Sequence, residues 1–420
     1  MSIKIKTSKL ETKNIDKINN DLKITLENKF SFGCPRYIYP HEIVNDFIKL
    51  PFAYAKRVLK LERPKRDSFP ILNLEFKGDL RDNQKIVKKE AVRYLSKTGS
   101  VLICAYPGFG KTCLSINIAI FIKFRVLIVV NKIILMEQWK NSLKKFAEGV
   151  RVELLKPKSK FKDSDFYIVN AINVPKIDKK ILKNIGTVII DEAHLIVAET
   201  LSKCLQHVFP RYLIGLTATP YRPDGLDVLL DLYFGNNKIV RELHRKHTVY
   251  TVETNFKPKV EYSKTGRVNW GVVLDSQANS KLRNDLIIKI ICKMFPKRTF
   301  LVLVKRISQG KYLYENLLNK GESVTALFGK NQTFDVKSRI LIGTCSKVGV
   351  GFDHPNLNTL LLAADVEEYF VQYLGRVFRT RDVEPVIIDL IDKNKILSKH
   401  FSTRRNIYQK HGGILKTLEI

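Results

Sequence analysis

Acidic residues are few in this sequence. Against 73 Lys and Arg there are 41 Asp and Glu, so the 420-residue chain carries a formal net charge of +32. Such an excess disfavours a compact state unless an anion offsets it. Nucleic acid is the commonest offset, because bound Lys and Arg release counterions from phosphates. A lysine-rich proteome without such a partner gives the same composition, so charge favours a nucleic-acid partner without requiring one.

Cysteine is also scarce, and no two cysteines form a CxxC pair. The six are Cys34, Cys104, Cys113, Cys204, Cys292 and Cys345. This scatter argues against a zinc site and against a secreted disulfide framework. It predicts an intracellular, reducing compartment, either nucleus or cytoplasm.

A long uncharged hydrophobic run is missing as well. The opening residues, MSIKIKTSKLETK, have no apolar core of a signal peptide, and the most apolar segment, IAIFIKFRVLIVV, is interrupted by Lys123 and Arg125. We therefore expect no membrane partner. Internal repeats and low-complexity tracts do not stand out either.

What the sequence has, from about residue 76, is short apolar runs alternating with stretches of helical spacing. The first group of runs includes VLICAY (101–106), VLIVV (126–130) and TVIID (187–191), and the second includes FLVLV (300–304), ILIG (340–343) and EPVIIDLI (384–391). This alternation predicts parallel sheets covered on both faces. We predict an α/β fold with a small N-terminal accessory region (1–75) and two tandem lobes (76–244 and 245–420).

The segment AYPGFGKT (105–112) has the properties of a phosphate-binding loop. Its residues are Ala105, Tyr106, Pro107, Gly108, Phe109, Gly110, Lys111 and Thr112. The glycines allow a tight backbone path, the lysine supplies a cation for the phosphates, and the threonine supplies a hydroxyl for Mg²⁺. A strand-like run precedes the loop and a helix-like run follows it. An ordinary glycine turn is the alternative, but this context favours a nucleotide site.

The segment VIIDEAH places two carboxylates after a buried strand. Asp191 and Glu192 therefore fall at the carboxyl end of a strand, where open α/β sheets bind their ligands. We predict that Asp191 completes the Mg²⁺ shell and that Glu192 orients and deprotonates the attacking water. The alternative is a strand that simply ends in solvent.

In this order AYPGFGKT, DEAH (191–194) and TAT (217–219) resemble the superfamily 2 helicases, in which alanine is common at the first loop position. LRDNQ (80–84) resembles their adenine-reading segment, VVNKIILMEQWK (129–140) their first nucleic-acid motif, and FLVLVKR, TCSKVGVGFDHP and QYLGRVFR their second-lobe motifs. The resemblance covers roughly residues 76–390. It implies two RecA-like lobes that use ATP and Mg²⁺.

The resemblance also implies a role for each matching residue. Arg376 and Arg379 would be arginine fingers, Gln372 would link nucleotide to nucleic acid, and Asp353 beside Gly351 would bond the ribose. Arg81 and Gln84 would read the adenine, while His194 would couple the site to Thr217 and Thr219. The implied nucleic-acid contacts are Lys132, Asn170, Lys305, Arg306 and Thr344.

GLTATPYRPDG (215–225) is similar to the XPB/UvsW-like branch and to helicases of large DNA viruses, including the poxviral transcript-release type. This implies an ATP-dependent helicase or translocase for DNA, with RNA or a hybrid as alternatives, acting in viral-type transcription, replication or repair. We expect a monomer that has transcription or replication proteins as partners. A virion or a viral factory is a further expected location.

Two other function classes compete with a motor. One is a nucleic-acid clamp or annealing factor that uses ATP only as a switch. The other is a P-loop enzyme such as a kinase, which has no use for TCSKVGVGFDHP and QYLGRVFR.

Three further expectations concern packing. Trp139 and Trp270 are interpreted as packing residues, and the basic segment KNKILSKHFSTRRNIYQKH as an exposed tail helix. The short stretch between Lys330 and Thr344 predicts a helix lost or reduced to a turn.

Overall fold

The computed structural model describes residues 1–26, 36–196, 202–218, 226–331, 333–349, 352, 354–366, 370–378 and 383–419. Chain packing divides it into two units, Met1–Arg241 and Glu242–Ile420, called here lobe one and lobe two. Across the described ranges, no helix is both long and apolar enough to cross a membrane.

Lobe one contains twelve described strands and eight described α-helices. The strands are β1 (Ser2–Lys6), β2 (Ile24–Leu26), β3 (Arg36–Ile38), β4 (Glu42–Val44), β5 (Phe47–Pro51), β6 (Ser100–Ala105), β7 (Val126–Val130), β8 (Val152–Leu155), β9 (Phe166–Asn170), β10 (Thr187–Ile190), β11 (Tyr212–Thr217) and β12 (Lys238–Arg241). The helices are α1 (Thr12–Asp21), α2 (Phe52–Val58), α3 (Asp82–Lys97), α4 (Lys111–Ile122), α5 (Ile133–Phe146), α6 (Lys179–Lys183), α7 (Ala193–Ile196) and α8 (Val228–Phe234). Short 3₁₀ helices span Thr7–Lys9, Arg66–Ser68, Ala171–Lys176 and Ser202–Gln206.

The main sheet of lobe one has seven parallel strands in the order β12-β6-β11-β10-β7-β9-β8. Strands β6, β7, β9 and β10 are buried along their whole length. Their unbroken apolar runs therefore face helices on both sides, which is why they lack the alternation of a half-exposed strand.

The N-terminal region packs into lobe one. Strands β1, β5 and β4 form a small antiparallel sheet. Ile3, Leu50 and Phe52 share one buried cluster with Leu102 and Leu127 of the parallel sheet. The structure thus groups residues 1–75 with the first lobe.

Lobe two contains seven described strands and six described α-helices. The strands are β13 (His247–Glu253), β14 (Phe300–Val304), β15 (Val324–Leu327), β16 (Ile340–Thr344), β17 (Thr359–Leu362), β18 (Val386–Ile391) and β19 (Gly413–Thr417). The helices are α9 (Trp270–Asn279), α10 (Lys281–Lys289), α11 (Ile307–Asn319), α12 (Cys345–Gly349), α13 (Phe370–Val377) and α14 (Lys395–Lys410), with a π-helical turn at Ile290–Met294.

The sheet of lobe two is also parallel, in the order β15-β16-β14-β17-β18-β13-β19. The predicted α/β fold with two parallel-sheet lobes is confirmed. Between β15 and β16 the described residues include a turn and no helix, as the short connection indicated.

The interpretation of the basic C-terminal segment as an exposed tail helix is wrong. Arg404 and Tyr408 of α14 are buried. Arg404 donates to Asp389 Oδ2 and Oδ1 at 2.8 and 2.9 Å and to Asp365 Oδ1 at 2.8 Å. Tyr408 donates to Asp389 Oδ2 at 2.8 Å. Because their carboxylate partners follow or lie in distant strands, the helix sequence alone looks like a solvated basic face.

Candidate active site

The phosphate-binding loop follows β6 and leads into α4. Gly108 and Gly110 have φ values of +86° and +87°, in the region that glycine adopts without steric cost. A Cβ atom at Gly110 would also collide with the Gln84 side-chain amide. Lys111 Nζ donates to the carbonyls of Ala105 (2.6 Å) and Tyr106 (3.4 Å). The ammonium of Lys111, the first residue of α4, thus bonds back to the first two residues of the loop.

Arg81 and Gln84 contact this loop from the start of α3. The Gln84 amide donates to Phe109 O at 2.9 Å and accepts from the Arg81 backbone N–H at 2.9 Å. The Arg81 guanidinium donates to Gly108 O at 3.3 Å and also to Phe109 O. The structure therefore brings the predicted adenine-reading pair to the phosphate loop, while the adenine contact itself stays a prediction.

Asp191 lies directly after β10 and is held by an indole. Trp139 Nε1 donates to Asp191 Oδ2 at 2.8 Å. Burial, followed by repulsion from Glu192, raises the pKa of Asp191, and this outweighs the opposing effects of the Trp139 hydrogen bond and of Lys111. Asp191 is thus a buried carboxylate whose charge is only partly offset by the groups around it.

Glu192 adopts a backbone conformation unusual for its residue type. Its φ is +49°, in the left-handed region. His194 Nδ1 lies 3.5 Å from Glu192 Oε2 and 2.7 Å from the Thr217 hydroxyl. Both His194 and Thr217 are completely buried. DEAH and the strand that carries Thr217 are thus in contact, and the coupling role of His194 stays a prediction.

The sheet order explains why these groups meet. β11 lies between β6 and β10, and all three strands are parallel. The carboxyl end of β6 carries the phosphate loop, that of β11 carries Thr217, and that of β10 carries the Asp191–Glu192 pair. Segments far apart in the sequence therefore converge on one edge of the sheet.

The predicted nucleic-acid contacts of lobe one follow β7 and β9. Lys132 is half-buried at the N-terminus of α5. Asn170 is buried, and its side-chain oxygen accepts from Ile172 N at 3.2 Å, so it caps the next 3₁₀ helix. Since Val130 and Asn170 are partners in adjacent strands, both predicted contacts lie at one place on the edge.

The corresponding residues of lobe two follow β14 and β16. Lys305 is exposed. Arg306 donates to Asp275 Oδ1 at 2.6 Å and to Gly271 O at 3.1 Å, both on α9. The Thr344 hydroxyl lies 3.3 Å from that of Ser346. Arg306 is thus already engaged by its own lobe.

Helix α13 carries Gln372 and Arg376, both buried. The Arg376 guanidinium donates to the carbonyls of Phe352 and Gly349, each at 2.5 Å. It therefore joins α13 to the glycine-rich segment before it, and its role as an arginine finger stays a prediction. Four predicted residues lie outside the described part of the chain: Thr219, Gly351, Asp353 and Arg379.

Comparison with known proteins supplies the family. A family model described as "Type III restriction enzyme, res subunit" matches residues 77–222. "Putative helicase 161L" of Invertebrate iridescent virus 6 is 43% identical over 100% of both chains. The chain belongs to the viral superfamily 2 helicases. "Putative helicase 055L" of Frog virus 3 is also similar to this helicase, at 30% identity over 87% of this chain and 85% of its own. These helicases are ATP-hydrolysing enzymes.

Solved structures agree on the fold. A point variant of S. cerevisiae Dbp5, bound to RNA and ADP BeF3, superposes with a TM-score of 0.57. It is 14% identical, over 79% of this chain and 89% of its own. Likeness at that identity supports the tandem RecA-like architecture of this helicase and nothing finer.

The donor set suits the divalent metal that the family implies. Thr112 offers a hydroxyl at the first turn of α4, and Asp191 offers a carboxylate held in place by Trp139. Hard oxygen donors of this kind are those that Mg²⁺ prefers. Among the described residues no cluster of three His, Cys, Asp or Glu side chains offers a competing site.

Two features of the site escaped sequence reasoning. Trp139 was interpreted as a packing residue; it is buried, and it also positions Asp191. Its helical spacing marks a buried face, but no local signal shows that the indole N–H meets a residue 52 positions later. The Tyr106–Phe109 edge-to-face pair, with centroids 5.5 Å apart, likewise stiffens the loop.

Proposed function

We propose that this helicase hydrolyses ATP at residues 105–112 and 191–192 and uses the energy to move along or remodel nucleic acid. One observation carries the proposal: the carboxyl ends of β6, β11 and β10 bring together a phosphate loop, a buried His–Thr contact and two adjacent carboxylates. No simpler binding module needs all three.

Each group has a chemical task in this proposal. Lys111 compensates the charge of the β- and γ-phosphates, and Glu192 takes the proton of the attacking water. Thr112 and Asp191 would hold Mg²⁺, which offsets phosphate charge when bound. His194 and Thr217 transmit the state of this site to the rest of the lobe.

The proposal extends to lobe two through the resemblance. Arg376 and Arg379 act as arginine fingers, Gln372 links nucleotide to nucleic acid, and Asp353 with Gly351 bonds the ribose. Closure on ATP and reopening after hydrolysis would then alternate the strand contacts. We place this helicase in the DEAH-type, XPB/UvsW-like branch on its GLTATPYRPDG segment.

We propose DNA as the favoured polymer, with RNA or a hybrid as alternatives. The net charge of +32 supports phosphate binding, and phosphate contacts carry no sequence information, so little sequence preference is expected. A relative in Acanthamoeba polyphaga mimivirus, 25% identical over 96% of this chain, is named "Putative ATP-dependent RNA helicase L396", so the test includes RNA. We propose a monomer that acts with transcription or replication proteins in a reducing intracellular compartment.

The alternative function is a clamp or annealing factor that ATP switches without processive work. The position of Arg306 does not distinguish the motor from the clamp, because its guanidinium is paired with Asp275 of the same lobe. The two functions differ in whether nucleic acid accelerates turnover.

The deciding experiment measures the ATPase rate with single-stranded, duplex and branched DNA and RNA. A motor shows a rate that rises with at least one polymer, and affinity that falls steeply with salt. Lys111→Ala, which removes the phosphate cation, serves as the inactive control. An ATPase rate that no polymer changes would contradict the motor and favour the clamp.

A further inference from the structure

A small β-hairpin stands between β13 and α9, at residues 261–269. Tyr262 and Val268 form an antiparallel bridge, and Asn269 N donates to Glu261 O at 2.7 Å. The turn is closed by Ser263 N to Arg267 O at 2.7 Å and by Gly266 N to Ser263 O at 2.9 Å. Gly266 has φ +72°, which the turn requires. This is an ordered projection.

The hairpin presents an aromatic ring to solvent among cations. Tyr262 is 64% exposed, and residues 261–267 are all exposed. Lys264 and Arg267 flank it in the same turn. The ring of Tyr262 is therefore accessible to a ligand and has two cationic side chains near it in sequence.

The base of the hairpin lies beside the predicted strand contacts of lobe two. Asn269 caps α9, accepting from Gly271 N at 3.1 Å. Arg306 in turn donates to Gly271 O at 3.1 Å and to Asp275 at 2.6 Å. The hairpin is therefore fixed, through the first turn of α9, to the residue next to the exposed Lys305.

We propose that the 261–269 hairpin is a nucleic-acid contact, in which Tyr262 stacks on an unpaired base while Lys264 neutralises a neighbouring phosphate. The inference rests on the proposed function, since it needs a strand at Lys305 and Arg306. The occupant is single-stranded nucleic acid, because a base face is open to a ring only where the base is unpaired. Stacking tolerates every base, which matches the low sequence preference proposed above.

The two side chains contribute in ways that salt separates. Ring stacking displaces few counterions, so its contribution is nearly independent of salt. A lysine on a phosphate of a single strand adds about 0.7 to the slope of log affinity against log salt concentration. One hairpin thus supplies one salt-insensitive and one salt-sensitive contact.

The test measures binding of full-length helicase to a single-stranded oligonucleotide across a salt series, for Tyr262→Ala, Tyr262→Phe and Lys264→Ala. We expect Tyr262→Ala to weaken binding about ten-fold to a hundred-fold with an unchanged salt slope. Tyr262→Phe keeps the ring and should bind about as tightly as the unmodified protein. Lys264→Ala should make the dependence of log affinity on log salt concentration less steep by about 0.7.

Tyr39→Ala is the matched control, because Tyr39 is a 49% exposed tyrosine of lobe one. Equal losses in Tyr262→Ala and Tyr39→Ala, or no loss in either, would overturn the hairpin contact. A loss as large on blunt duplex as on single strand would overturn the unpaired-base assignment. If the unmodified protein binds no polymer at all, the proposed function itself fails, which is a different outcome.

Discussion

Each lobe has its own seven-stranded parallel sheet, but the buried carboxylates of the two lobes have different partners. In lobe one, Asp191 and Glu192 are adjacent carboxylates; a neutral indole donates to Asp191, and Lys111 offsets only part of the effect of burial and repulsion. In lobe two, the buried carboxylates of Asp389 and Asp392 each meet a buried guanidinium, from Arg404 and Arg283.

This difference distinguishes carboxylates with a structural role from carboxylates that can bind a ligand. A buried charge is costly unless it is paired, and in lobe two the paired arginines come from the same lobe. In lobe one, burial followed by repulsion from Glu192 raises the pKa of Asp191, and a bound cation would offset both effects. Asp365 of lobe two shows the opposite behaviour, because His400 and Arg404 hold its pKa below the usual range despite burial.

The largest effect should come from lobe one. Glu192→Gln removes the proposed general base and should lower nucleic-acid-stimulated hydrolysis about 10²- to 10⁴-fold, while ATP still binds. Turnover and nucleotide binding are measured side by side, with Glu137→Gln, an exposed change on α5, as control. Near-normal turnover in Glu192→Gln would remove the base from its assigned role.

The next largest effect should be structural and confined to lobe two. Arg404→Ala leaves Asp365 and Asp389 without their guanidinium, and should cost about 3–5 kcal/mol in the free energy of unfolding of that lobe. Urea unfolding measures it. Arg405→Ala, its exposed neighbour, should change little. Equal unfolding curves for the two variants would mean that the buried network is not what holds α14.

A smaller effect should follow from Trp139→Phe. The ring is largely kept, but the hydrogen bond to Asp191 is lost, and such a bond to a charged group is worth about 1.5–3 kcal/mol. We expect the Mg²⁺ concentration for half-maximal turnover to rise about ten-fold. Trp270→Phe in lobe two, where the indole stacks on His400, should leave it unchanged. An unaltered Mg²⁺ requirement in Trp139→Phe would argue that the indole only packs.

The smallest effect is expected for an exposed ion pair of lobe two, in contrast to the buried pairs of the same lobe. Glu242 and Lys410 form an ion pair at 2.9 Å with both side chains mostly exposed. Glu242→Gln should change the free energy of unfolding by less than about 1 kcal/mol, because solvent screens exposed pairs. The same urea experiment checks it, and a loss comparable with that of Arg404→Ala would erase the distinction between buried and exposed pairs.

The sequence predicted what is local or periodic. Apolar runs such as VLIVV predicted buried parallel strands, and the strand–loop–helix context of Lys111 predicted the phosphate loop. The resemblance implied that His194 couples the site to Thr217, and the structure places these two side chains in contact. The general helicase function followed from several such motifs in a fixed order.

What the sequence did not show depends on partners far along the chain. Arg404 and Tyr408 look like residues of an exposed basic helix until β17 and β18 bring Asp365 and Asp389 to them. Trp139 looks like any core aromatic until β10 ends beside it. Tertiary pairing, not propensity, decides these cases.

The place of β13 has a consequence for how the protein is made. This first strand of lobe two lies between β18 and β19, so both its neighbours come from segments that are translated much later than β13 itself. Lobe one can complete its sheet while lobe two is still being translated. During that interval β13 has two open edges, and a nascent chain stalled before residue 386 would expose them to aggregation.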